Sequence, residues 1–220
     1  MAKTFLQTVN NVLTLLREDT VSSVSDTSYS SLIGKFVELS VQDVENSWDW
    51  NTLRSTIQAS TTADNSRYIL TAAGHYSTIL LATCTDSAGN TYELSPINFN
   101  TMTKFFREPN PQSSQPVYYS IAGYDANDDP VIDLYPTPDS VYTVNFDVVV
   151  RTTDDLADTD TISVPNWPVV LGAYYRAVEE RGESGSTTAT SSMMEYRKSL
   201  GAAILADSSY TTHELEFRVV

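Results

Sequence analysis

Val164-Pro165-Asn166-Trp167-Pro168-Val169-Val170-Leu171-Gly172-Ala173-Tyr174-Tyr175-Arg176-Ala177-Val178-Glu179-Glu180-Arg181-Gly182-Glu183 is the stretch whose reading decides the fold. Pro165 and Pro168 mark a helix start, because the backbone N–H that proline lacks has no partner in a first turn. Val170, Tyr174, Ala177 and Arg181 then recur at helical spacing, with Leu171 and Val178 beside them. Gly182, Gly185 and the Ser/Thr run after them stop the helix and make a turn. Met193, Tyr196, Arg197, Leu200, Ala203 and Ile204 share one face of a second helix. Two amphipathic helices joined by a short polar loop pack most simply as an antiparallel hairpin.

The start of the chain reads the same way. Thr4-Phe5-Leu6-Gln7 spells a capping box, with the Thr4 hydroxyl and the Gln7 amide closing a first turn. Phe5, Val9, Val12, Leu13 and Leu16 line one face of a short helix that ends near Arg17. After a Ser/Thr-rich connection, a longer helix starts at about Thr27, with Tyr29, Leu32, Ile33, Phe36, Ser40, Val44 and Trp48 on its apolar face. Aromatics at i and i+2 cannot share a helix face, so this helix ends at Trp48-Asp49-Trp50. Trp48 and Trp50 are expected to be the structural junction between helical and β parts. The functional alternative for the pair is a stacking platform for a sugar or base.

From Arg54 to about Val150 the apolar pattern switches to period two. Strands are expected at 55–62, 67–71, 76–83, 92–95, 117–123, 131–135 and 141–150, with a short helix at 98–108 crossing the sheet. Turn signals such as Asp86-Ser87-Ala88-Gly89-Asn90 and Asp125-Ala126-Asn127-Asp128-Asp129 separate them. Their close spacing argues for an antiparallel meander and against βαβ crossovers. The expected fold class is therefore α+β: a helical bundle from N- and C-terminal helical hairpins with an inserted antiparallel β domain. The expected divisions are an N-terminal hairpin at 1–50, the β domain at 51–163, the C-terminal hairpin at 164–209 and an extended arm at 210–220. In the arm, Leu215, Phe217 and Val219 alternate with Glu214, Glu216 and Arg218. A lone strand needs an edge to pair with or a groove to fill.

Chemistry-bearing motifs are scarce. Asp125, Asn127 and Asp129 have calcium-loop spacing, but Pro130 stands where glycine is needed and Pro136 where the bidentate glutamate belongs, so a hairpin turn is expected. Asp154, Asp155, Asp158 and Asp160 read as a solvated linker. His75 and His213 lie far apart without Cys or His neighbours, which argues against a zinc site. Cys84, the one cysteine, sits in an apolar strand-like run and reads as a buried structural thiol suited to a reducing compartment. Nucleophile-and-base motifs and phosphate-cradling glycine loops are lacking. Carboxylate pairs for glycoside hydrolysis carry no weight, because 28 acidic residues always supply pairs. No catalytic, cofactor or metal residue is assigned. Against those 28 stand 13 Lys and Arg, a net charge of −15, and such a surface repels nucleic-acid phosphates and anionic membranes. Neither a signal peptide nor a run long enough to cross a bilayer is read, so a soluble chain is expected.

The stretch 169–183 also resembles the C-terminal helix signature of the head-to-tail adaptor proteins of short-tailed bacteriophages (podoviruses), the tail tubular protein A family. Tyr118-Tyr119-Ser120, Leu134-Tyr135-Pro136-Thr137-Pro138-Asp139, Leu156 to Pro165, Leu32-Ile33-Gly34-Lys35-Phe36-Val37 and the Trp48-Asp49-Trp50 corner resemble further family blocks in the right order. The region 56–114 resembles nothing and is read from its residues alone. The resemblance implies a virion structural protein and not an enzyme. It implies a homo-oligomeric ring of about twelve copies, closed by heterologous contacts. The implied partners are the portal protein, the tail nozzle protein (tail tubular protein B) and tail fibres. DNA is implied to pass through the lumen at ejection without specific binding, and assembly to take place in the host cytoplasm. Leu215, Phe217 and Val219 then become assembly anchors that grip the portal or a neighbouring subunit. A reading of another class is a carbohydrate-binding or glycoside-hydrolysing β module of a phage tail, with Trp48 and Trp50 or Tyr118 and Tyr119 as the platform in an exposed cleft.

Overall fold

A computed structural model of the chain describes residues 3–74, 77–151, 155–183 and 187–212. Among the described residues there are five α-helices: α1 (Phe5–Leu15), α2 (Ser28–Ser47), α3 (Phe99–Phe106), α4 (Asn166–Val178) and α5 (Thr187–Thr212). The strands are β1 (Lys3–Thr4), β2 (Arg54–Ser60), β3 (Arg67–Ile69), β4 (Thr78–Thr85), β5 (Thr91–Glu93), β6 (Ser95–Pro96), β7 (Tyr118–Tyr124), β8 (Pro130–Tyr135), β9 (Thr143–Val149) and β10 (Thr161–Ile162). The mixed α+β chain divides into two units, Met1–Leu53 with Asp154–Val220, and Arg54–Thr153.

In the first unit the Thr4–Gln7 capping box forms as its sequence predicts: Gln7 N–H donates to Thr4 Oγ1, and Thr4 N–H to Gln7 Oε1, each at 3.2 Å. Two orphan donors of α1 are thereby satisfied. Thr27 and Ser30 make the equivalent box on α2. β1 pairs with β10 through Lys3↔Ile162 and Thr4↔Thr161, so the chain's start is tied beside the lead-in to α4. α4 packs against α1, α2 and α5. Pro168, Val169, Val170, Leu171, Gly172, Ala173, Ala177 and Val178 are all buried, so the helix is apolar around most of its circumference, not along one stripe as its spacing predicts. Gly172 is what allows the crossing: a Cβ there would meet Ser40 Oγ and the Tyr196 ring at 3.1 Å.

Two helical expectations need correction. The buried face of α2 is Ser30, Ile33, Gly34, Val37, Ser40, Val41, Val44 and Glu45; Ile33, Ser40 and Val44 lie on it as expected, whereas Tyr29, Leu32, Phe36 and Trp48 stay half-buried. Ser30 and Gly34 are buried under the connection before α2: the Ser30 hydroxyl donates to the Val24 carbonyl, and Val24 leaves no room for a Cβ on Gly34. α5 continues through Thr212, so the first residues of the expected arm at 210–220 are helical. Gly182, with φ of 83°, closes the π-turn Glu179–Glu183 after α4, in a backbone region that favours glycine.

The second unit holds two four-stranded sheets, ordered β2-β9-β4-β5 and β3-β8-β7-β6. Their inner faces supply one core, with Leu70, Ala82, Cys84, Leu94, Ile132, Leu134, Val144, Phe146 and Val148 buried. Tyr119 meets Phe146 edge-on with ring centroids 5.7 Å apart. The expected antiparallel meander forms only in part: β4–β5 and β7–β8 are antiparallel hairpins across the expected turns, and the other pairings join strands distant in sequence. β2 pairs with β9, the last strand of the unit, from Arg54↔Val149 to Ser60↔Thr143. β6 pairs with β7 in parallel, and α3 makes the crossover between them that the sequence argued against. The two residues of β6 are too few to show a period, so no pattern announces that crossover.

Candidate interaction surfaces

The tryptophan corner is built by the end of α2. Trp48 takes extended backbone, and the chain then enters a 3-10 turn at Asn51–Leu53. Trp50 is 1% exposed and its indole N–H donates to the Val44 carbonyl at 2.6 Å. Trp48 is half-buried, and its indole N–H donates to Asp207 Oδ2 on α5 at 3.1 Å. The same carboxylate oxygen accepts the Asn51 N–H at 3.2 Å, and the Asn51 amide donates to the Asp207 carbonyl at 3.1 Å. Asp207 therefore ties the end of α2 to α5. Nothing local in the sequence marks that clasp, since Asp207 is one acid among 28.

The platform reading needed these rings in an open cleft. Trp50 offers no open face, and Trp48 has given its polar atom to Asp207. Tyr119 is buried against Phe146. Tyr118 packs on Phe105 at 6.2 Å, and Phe105 stacks on Tyr135 at 4.8 Å. A tryptophan that is open is Trp167, 58% exposed at the start of α4. In the sequence it reads only as part of a proline-marked helix start.

The acidic motifs serve the backbone. Asp125 Oδ1 accepts the N–H groups of Asn127 and Asp129 at 2.8 and 2.9 Å, closing the β7–β8 hairpin. Asp129 turns inward and accepts from the Ala72 and Gly74 N–H groups, each at 3.1 Å. Both its oxygens are thus engaged by main chain. Asp158 accepts from the Val24 N–H, Asp160 from the Ala157 N–H, and Asp155 pairs with Lys35 at 2.9 Å. Lys35 also pairs with Glu38, and these two partners raise its pKa to about 12. Asp154, His75 and His213 lie outside the described residues. Among the described residues no group of three His, Cys, Asp or Glu side chains is placed to hold a metal ion. Cys84 is buried, and loss of solvent, with the Asp86 charge nearby, pushes its thiol up to about 11. Such a thiol is a poor nucleophile at neutral pH. An open cleft of about 430 Å³ in the β unit is lined by Ile79, Pro96, Phe99, Tyr119 and Ile121, without a charged group converging on it. Among the described residues, what the geometry offers is binding surface and structural ties.

The family model described as SU10 adaptor protein matches residues 3–215. The chain belongs to that family. SU10 adaptor proteins are phage head-to-tail adaptors, which are structural virion components. A comparison with curated proteins returned no match. The SU10 adaptor match begins on β1 and takes in both units of the chain. It reaches Leu215 but not Phe217 or Val219, and all three lie outside the described residues. Among the described residues no helix is long and apolar enough to cross a membrane.

Proposed function

We propose that this SU10 adaptor forms a ring between the portal protein and the tail nozzle, with DNA passing through its lumen at ejection. The family match over residues 3–215 is the observation that carries this reading. A ring of about twelve copies closes by heterologous contacts, which require different surfaces on the two sides of each subunit. Exposed apolar side chains are available for them: Trp167 and Met194 on α4 and α5, and Leu205, 72% exposed, near the end of α5. Aromatic anchors of the Trp167 kind dominate the energetics of protein interfaces. The net charge of −15 suits a wall past which a polyanion must slide.

In this reading the helical hairpins from the two ends of the chain form one bundle that carries the β domain. Trp48 and Trp50 hold the junction, and Leu215, Phe217 and Val219 grip the portal or a neighbouring subunit. The partners are the portal, the nozzle protein and tail fibres, and the ring joins the virion in the host cytoplasm. The chain has no catalytic role in it. Negative-stain microscopy of the purified protein mixed with portal-bearing heads tests the proposal. Added ring density beneath the portal vertex is the expected result, and heads that gain none would overturn it.

A further inference from the structure

We infer that the outer edge of β2 receives residues 214–220 of a second copy of this chain as an added strand. The inference rests on the ring reading and supplies one of its subunit contacts.

An open strand edge is a template for pairing, and proteins defend such edges by keeping them short or by placing proline, charge or a bulge there. Three of the four outer edges of the two large sheets are defended in this way. β6 has two residues and contains Pro96, β5 has three and ends in Glu93, and β3 has three and begins with Arg67. β2 is different. It has seven residues, pairs with β9 without a register shift, and carries no proline and no charge beyond Arg54 at its start.

The hydrogen-bond parity of that edge can be assigned. Thr61 N–H donates to the Tyr142 carbonyl at 2.8 Å, in register with the β2–β9 ladder. N–H and C=O groups alternate sides along a strand. Ser55, Ile57 and Ala59 therefore turn theirs toward β9, while Arg54, Thr56, Gln58 and Ser60 turn theirs outward. Those four residues are exposed.

Residues 214–220 fit this edge in length and in pattern. Glu214-Leu215-Glu216-Phe217-Arg218-Val219-Val220 follows α5, lies outside the described residues, and has one residue for each of β2's seven. The inner row of β2 is Ser55, Ile57 and Ala59, opposite the buried Val148, Phe146 and Val144. An added strand sets Leu215, Phe217 and Val219 beside that row and extends the apolar layer. Its charged residues then join the outer row of Thr56, Gln58 and Ser60. Ile57 and Phe217 are the midpoints of the two runs, so they fall opposite each other in either strand direction. The parallel direction also places Glu214 opposite Arg54, and opposite charges across a strand pair favour it. Main-chain bonds supply the affinity of such a contact and alternate side chains its specificity. Passed from each copy to the next, it is a heterologous contact, the type from which rings are built.

The test compares Gln58→Pro with Gln58→Ala in the full chain. Proline at position 58 removes one outward N–H and leaves the bonds to β9 in place, as edge strands tolerate. Gln58→Ala controls for the lost side chain. Both variants are expected to keep the wild-type circular dichroism. Gln58→Ala is expected to assemble as wild type does, and Gln58→Pro to lose self-association by on the order of tenfold. Amide exchange on the wild-type chain is an independent reading: the N–H groups of Thr56, Gln58 and Ser60 should slow on assembly, and should not slow in a chain lacking residues 213–220. Full assembly of Gln58→Pro, or protection that survives the deletion, would overturn the inference alone. So would protection already present in the isolated subunit, which would mean that the segment folds onto its own β2. A wild-type chain that never associates would overturn the ring reading and this inference with it.

Discussion

The Trp48 indole N–H donates to the Asp207 carboxylate across 3.1 Å, joining the residue that ends α2 to the last turns of α5. Asn51 adds its own N–H to the same oxygen. One carboxylate therefore fixes where the chain leaves α2 and where the helix before residues 213–220 is held.

The two tryptophans should differ in what they contribute. Trp50→Ala removes a fully buried ring and its bond to Val44, and is expected to cost on the order of 3–5 kcal/mol. Trp48→Ala removes a half-buried ring and is expected to cost about half of that. Asp207→Ala leaves two donors without their acceptor and should cost about 1–2 kcal/mol. Denaturant unfolding of the three variants checks the order. Equal losses for Trp48 and Trp50 would contradict it.

Arg67 and Asp133 pair across β3 and β8 in two bonds of 2.7 and 2.9 Å, with the Asp133 side chain only 3% exposed. Removing the arginine strands a buried carboxylate. Arg67→Ala should therefore cost about 2–3 kcal/mol, much more than an exposed ion pair is worth. Arg67→Lys should recover only part of this, since lysine cannot make the two-pronged contact. Thermal melts of both variants decide the matter.

The alkaline limit of stability should carry a contribution from Cys84. Burial raises its thiol from 9.0 to about 11, so the folded state favours the protonated form. A group with a raised folded pKa gives stability that is whole below its unfolded value and is lost as the pH rises through the folded one. Stability should thus fall between about pH 9 and pH 11, and Tyr92, raised to about 12 by burial, extends the fall upward. In the folded protein at pH 8 the thiol should resist alkylation and react only on unfolding. Rapid labelling of the native protein at that pH would count against a buried Cys84.

The net charge of −15 makes retention of DNA a simple check on the channel reading. Assembled protein should release duplex DNA even at low salt, where electrostatic attraction is strongest. Gel-shift titration measures this, and tight low-salt binding would count against a repelling wall.

Local chemistry and the hairpins across marked turns, β4–β5 and β7–β8, are legible in the sequence, and pairing between distant strands is not. Thr4 and Gln7 close α1, Thr27 starts α2, and α2 stops at the tryptophan corner, each set by groups a few residues apart. The partner of β2 is β9, whose residues carry no local mark of that pairing. Hydrophobicity sets the expected face of α2 partly askew, because Tyr29 and Phe36 outweigh Ser30 and Gly34. The loop before α2 covers the small pair: the Ser30 hydroxyl donates to the Val24 carbonyl, and the Gly34 backbone faces the Val24 side chain too closely for a Cβ. Trp48 and Trp50 were found as a pair, but Asp207, which holds one of them, stands too far along the chain for spacing to reveal it. Leu215, Phe217 and Val219 were found by their alternation alone, which marks a strand without naming its partner.

The adaptor role is tested most directly by making phage particles without this protein. Such particles are expected to be DNA-filled heads without tails, and adding the purified chain together with the nozzle protein should restore tails and infectivity. Particles that carry complete tails in its absence would contradict the account.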